Sequence, residues 1–193
     1  MKKKIAVFAS VFLSVLFIIG GIYYVKYYNS IKEIKVDGNY VKYDTEESLN
    51  DAADIILYGT PANKFEDRKH VNKKNDDGVL KDFYTITEFK VKKVLKNSTT
   101  LQINKNDLFN IIEPTTLIQE IDGKKIIQIN SYKAMEESNN YIVYLKSNDE
   151  GEYSVINMSN GKFNMDKVEK TSNNEHNEIK NNVMKKHLKN ISD

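Results

Sequence analysis

The sequence predicts a mainly β protein. A single transmembrane N-terminal helix precedes a small β-barrel or sandwich, with a short helix near residue 50 and a C-terminal segment of helical pattern. Three observations carry this. Ile5 to Val25 is an uncharged apolar run of 21 residues. About seven short segments with strand patterning follow, joined mostly by tight turns. Between them, helix signals occur only around residue 50.

At 1.5 Å per residue the apolar run makes a helix of roughly 31 Å, about the thickness of a bilayer's hydrocarbon layer. Tyr23, Tyr24, Tyr27 and Tyr28 stand at its far end, where amphipathic rings favour the lipid–water boundary. A cleaved secretion signal is the alternative; its apolar part is usually about 7–15 residues and ends in a small-x-small site. Here the run is longer and ends Ile22-Tyr23-Tyr24-Val25, which favours an uncleaved signal-anchor at 5–25 over secretion. Lys2, Lys3 and Lys4 outweigh Lys26 across the span, so residues 1–4 form a cytoplasmic tip and the rest lies outside the cytoplasm.

Residues 26–44 read as a stalk or an opening hairpin, with Ile34 and Val36 before a type I′ turn signal at Asp37-Gly38 and Tyr40-Val41 after it. The β-domain spans 45–165. Asp44 and Glu47 have the spacing of a helix cap and its N3 acid, opening a helix through Ala53. Ile55-Ile56-Leu57-Tyr58 is a buried strand stopped at Gly59-Thr60-Pro61. Residues 62–80 read as a long, charged, mobile excursion, a length that raises the prior of a functional surface. Phe83, Thr85, Thr87, Phe89 and Val91 then share one face of a long half-buried strand, with Tyr84, Ile86, Glu88 and Lys90 on the other. Leu101 and Ile103 suggest another strand. Leu117–Ile121, Asp122-Gly123 and Ile126–Ile129 make the clearest hairpin, and Tyr141–Leu145 a central strand. Tyr153–Ile156 and Lys162-Phe163 pair across Ser159–Gly161. The polar tail, 166–193, carries a capping pair at Ser172 and Glu175 and an apolar stripe at Ile179, Val183, Leu188 and Ile191, a surface helix or a frayed end.

Composition closes several functional classes. With no cysteine there is no disulfide, thiolate metal site or cysteine nucleophile. The net charge of +2 resolves into a basic N-terminal flank and a remainder, 27–193, with 25 basic against 27 acidic residues. Arg68 is the sole arginine. A nucleic-acid partner, which needs a basic face with guanidinium groups, is therefore not expected.

Four segments carry a resemblance: Ala53–Thr60, Phe89–Lys96, Tyr141–Lys146 and Gly161–Phe163. In this order they resemble small exported or membrane-anchored proteins of Gram-positive bacteria, and the OB-like barrel of netrin-type domains, including tissue inhibitors of metalloproteinases. The resemblance covers about residues 45–165. It implies an OB-like barrel and a surface location, and supplies no catalytic residue. The inhibitors bind their target metal through an N-terminal cysteine, so that activity does not carry over to a cysteine-free chain.

No metal, cofactor or catalytic set is expected. His70, His176 and His187 lack metal-site spacing, and His70 reads as an isolated surface histidine. Neither Asn75–Gly78 nor Asn148–Gly151 fits a calcium loop, because lysines fall where the first carboxylate is required. No nucleophile elbow or phosphate-binding glycine pattern occurs. The sequence thus points to a non-enzymatic, membrane-anchored extracytoplasmic module that binds a protein, peptide or envelope polymer. Its expected contact surface is the 62–80 excursion, with Phe65 and Arg68 as anchors. The alternatives are a cell-envelope hydrolase using Glu66 and Asp67, or an immunity or inhibitor protein.

Overall fold

The computed structural model describes residues 2–130, 132–166 and 174–192. The chain divides into two compact units, Met1–Ile34 with Leu117–Ile127, and Lys35–Thr116 with Gln128–Asp193.

The first unit begins with α1 (Lys2–Tyr23), which runs into a π-helical turn at Tyr24–Tyr28. One helical stretch, Ser10–Tyr28, is long and apolar enough for a membrane anchor or a signal sequence, and none of it is buried. Its tyrosines pair at i, i+4: Tyr23 stacks on Tyr27 and Tyr24 on Tyr28, at 6.2 and 5.7 Å between ring centres. β1 (Ile31–Val36) follows at once and joins a three-stranded sheet, in the order β1-β7-β6, with β6 (Thr115–Glu120) and β7 (Gly123–Ile129). The hairpin that the sequence predicts forms, with Ile121-Asp122 as its turn and Gly123 opening β7. Gly123 has φ +138°, and a Cβ there would run into Ser30. The hairpin tip is tied to the helix end, because the Tyr23 hydroxyl donates to the Ile121 carbonyl and the Lys124 amide to the Ser30 carbonyl (2.7 Å). Asp37-Gly38 forms no hairpin: Gly38 is not left-handed and Tyr40-Val41 is not a strand, so β1 finds its partner far along the chain.

The second unit is a closed five-stranded barrel. Its staves are β2 (Ile55–Pro61), β4 (Leu80–Asn97), β5 (Leu108–Glu113), β8 (Tyr141–Ser147) and β9 (Tyr153–Val155). Around the barrel the order is β2-β4-β5-β9, and β9 returns to β8, which pairs with β2. All contacts are antiparallel except β5 with β9, at Ile112 and Ser154. In stave order this is 1-2-3-5-4-1, the OB arrangement. β4 pairs with β2, β3 and β5 along its 18 residues, and bulges at Ile56/Leu57 and Tyr58/Gly59 bend the β2–β4 pair around the barrel. Gly59 sits at one bulge, where a Cβ would strike the Lys90 carbonyl and the Phe89 ring.

The continuous apolar runs in β2 and β8 serve two cores. Ile55, Leu57, Val143 and Leu145 point into the barrel with Phe89, Val91, Ile111, Tyr132 and Met135. Ile56, Ile142 and Tyr144 point out, where Leu49, Phe163, Ile179 and Val183 cover them. Those outer residues come from α2 (Glu46–Ala52), β10 (Lys162–Asn164) and α3 (Asn174–Ser192). Full burial of such side chains contributes about 1.5–3 kcal/mol each, enough to hold a polar C-terminal helix on the sheet. α2 starts one residue later than the sequence suggests. Thr45 caps it, accepting from the Ser48 amide at 3.1 Å, whereas Asp44 pairs with Lys42. Ser172 and the Leu188 side chain lie outside the described residues.

Three further expectations are overturned. β9 and β10 do not pair with each other; each pairs with β8. Residues 62–80 are not a mobile excursion: Phe65–Asp67 is a 3-10 turn and β3 (Lys69–Lys74) pairs with β4 from Leu80 to Ile86. Leu101 and Ile103 form no strand; the third stave is β5 instead.

Candidate functional site

Phe65 and Arg68 do come together, with the guanidinium 5.8 Å from the ring centre, yet not as a contact surface. Arg68 is buried and pairs with Glu113 at 2.8 Å; the two side chains are 1% and 0% exposed. This corrects the sequence-based role for Arg68. Its Nε donates to the Asn63 carbonyl (3.0 Å), one terminal nitrogen to the Met135 carbonyl (2.6 Å), and the other to Glu113 and the Thr87 hydroxyl. Glu113 also accepts from Thr87 (2.6 Å), Tyr132 (2.9 Å) and the Met135 amide (2.8 Å). Burial, then the Glu113 charge, raises the Tyr132 hydroxyl well above its ordinary pKa, so it stays a donor. Every polar group has a partner, and the cluster binds the 3-10 turn to the barrel interior.

Phe65 is half-buried and packs edge-on against His70 at 4.9 Å. His70 is not an isolated surface residue: its ring nitrogens meet the Thr85 hydroxyl (2.9 Å) and the Phe65 carbonyl (3.0 Å), and burial lowers its pKa. His176 and His187 are buried against other parts of the domain. Glu66 and Asp67 are exposed on the 3-10 turn. Among the described residues no group of three or more His, Cys, Asp or Glu is arranged to hold a metal ion.

A groove of about 330 Å³, which the sequence did not single out, lies beside the β3–β4 hairpin. One wall is the β3–β4 hairpin (Lys73, Asp82, Phe83, Tyr84). The other is the β8–β9 turn (Asn148, Glu150, Glu152), and Ile112 and Met158 lie between. Lys73 bridges to Asp82 at 3.3 Å and stands 5.5 Å over the Tyr84 ring. Its pKa is raised, chiefly by the Asp82 contact and further by Tyr84 and Glu150. The opposite wall is fixed locally. Asn148 Oδ1 accepts from the Glu150 and Glu152 amides at 3.0 and 2.8 Å, and Gly151 supplies the left-handed residue at φ +79°.

No protein-family model matches this chain, and no curated protein matches it. The groove is therefore judged on its chemistry. It sets three carboxylates against one ammonium group, beside an outward tyrosine ring. Such a lining favours a ligand with cationic groups and a flat or apolar face. The usable signal in the sequence was Tyr84, which alternation already placed on the outer face.

Proposed function

We propose that the protein is a single-pass membrane protein whose barrel, outside the cytoplasm, is a non-catalytic binding module. Its groove between the β3–β4 hairpin and the β8–β9 turn takes an extended peptide or envelope polymer that carries ammonium groups. One observation carries this reading: the groove lies between the loop after the first stave and the turn joining the last two, where OB barrels receive ligands. The excess of carboxylates on its walls supports a cationic ligand. The length of Ser10–Tyr28 and the lysines before it support an N-terminus in the cytoplasm. The closed barrel is the fold that the likeness to netrin-type domains implies.

The test is photo-crosslinking in intact cells from a reactive residue at Glu150, with and without Tyr84→Ala and Asp82→Asn. The expected result is a specific adduct that is lost in the double variant at unchanged protein level. An adduct that survives both substitutions would remove the groove from the reading. Trypsin added to protoplasts should cut at exposed Lys74 or Lys81; protection until lysis would invert the topology.

A further inference from the structure

A second concavity lies on the outer surface of β2 and β4. It is about 810 Å³ and is lined by Tyr58, Thr60, Lys90, Lys92, Lys93 and Lys105, with Asn106, Val94 and Ile191 at its margins. Four of these residues are lysines and none is acidic.

Two local devices assemble the lysines. The bulge in the β2–β4 register pairs Tyr58 with Lys93 and Gly59 with Val91, skipping Lys92. Consecutive residues that would alternate therefore both line the same cleft. Lys105 arrives on a turn pinned to the same strand: the Asn106 amide donates to the Val91 carbonyl at 2.7 Å, and the Val91 amide to the Asp107 carbonyl at 2.9 Å. Asn106 adopts φ +73° to make this turn, an uncommon conformation for a residue with a side chain.

Two carboxylates neighbour the cleft, each hydrogen-bonded by an amide. Asp107 accepts from the Asn104 amide at 2.7 Å. Asp166 is held by Asn140, whose hydrogen bonds lower its pKa, with a further contribution from Lys92. Lys92 donates to Asn140, but Lys90, Lys93 and Lys105 form no ion pair among the described residues. Like charges gathered at one cleft repel one another unless an anion is shared.

We infer that this cleft binds the phosphate groups of a phosphate-rich polyanion, with the lysines as point charges. Recognition of nucleic-acid bases is disfavoured, because the cleft has no guanidinium and only one aromatic ring, Tyr58. The cleft and the acidic groove occupy different faces of the barrel, so either can exist without the other.

The test is calorimetric titration of the full chain in a non-ionic detergent with medium-chain inorganic polyphosphate, at about 0.05 M and about 0.3 M salt. Wild type should bind, more weakly at the higher salt. K90Q/K105Q should lose at least tenfold in affinity. K81Q/K146Q, which removes the same charge from exposed positions elsewhere, should bind as wild type does. Matching circular dichroism spectra and melting temperatures establish that the variants are folded. Absence of wild-type binding, or equal losses in the two lysine doubles, would overturn the site. Lysine-dependent binding to phosphatidylglycerol vesicles without polyphosphate binding, or tighter binding to a single-stranded oligonucleotide, would overturn the polymer as its ligand.

Discussion

Replacing Arg68 with methionine removes the cation from a buried pair and leaves the Glu113 carboxylate, 0% exposed, inside the barrel. The Asn63 and Met135 carbonyls also lose their donor. Breaking a buried pair by removing one partner costs about 3–5 kcal/mol. For a chain of this size about 1 kcal/mol shifts the melting temperature by roughly 2–4 °C, so R68M should melt about 6–20 °C below wild type. A swap of both residues for apolar ones is often neutral elsewhere. Here R68M/E113L should not recover, because Thr87, Tyr132 and the Met135 amide would lose their acceptor. Thermal melts of the detergent-solubilised chain measure the effect. A melting temperature within about 3 °C of wild type would refute the reasoning.

His187 is buried, its Nδ1 has no partner, and its Nε2 lies 3.5 Å from the Tyr144 hydroxyl. Burial first and the Lys186 charge next lower its pKa, against an opposing effect of Glu46. Its contribution to stability is thus present at high pH and lost as pH falls through the ordinary histidine range near about 6.5; H187F should flatten that part of the melting profile, leaving the part due to His70. Gly59→Ala should cost about 1–3 kcal/mol by forcing the bulge open against Lys90 and Phe89, read as a lower urea midpoint at unchanged slope. Thr45→Ala removes the acceptor for the Ser48 amide and should cost about 1 kcal/mol, with faster hydrogen exchange at the start of α2 and little change in the barrel.

The elements read correctly from sequence were those whose own residues settle the matter. The alternation from Phe83 to Val91, the run Tyr141–Leu145 and the hairpin at Asp122-Gly123 each contain their pattern locally. β3 escaped notice because Lys69–Lys74 has only Val71 as an apolar member, and pairing with β4 makes it a strand. The third stave was misplaced because Leu101 and Ile103 alternate as well as Leu108–Glu113 do; closure of the barrel chooses between them. Asp37-Gly38 misled for the opposite reason, since a good turn dipeptide turns nothing when the preceding strand pairs elsewhere. The Arg68 cluster joins residues up to 67 positions apart, beyond any local window. One sign of it was visible: a single arginine in a chain that otherwise uses lysine throughout marks a place where a planar, multiply donating cation is required. The groove had weaker signs, because the carboxylates at Glu150 and Glu152 look like ordinary turn solvation until Tyr84 is seen opposite.

The junction between the apolar helix and the sheet bears on whether the helix can be trimmed away. Peptidases take their substrates as extended backbone with small side chains at the cut. Between Tyr23 and Ile31 the chain is helical or π-helical to Tyr28, bulky at most positions, and then tied by Ser30 to the turn at Asp122 and Lys124. Gln119 adds a bond to the Tyr28 carbonyl at 3.2 Å. A protease acting on the folded chain would have to wait for this stretch to unwind, and unwinding it frees the hairpin tip as well. Shedding and loosening of the hairpin become one event, so a chain cut there would leave with its Glu120–Gly123 turn undone.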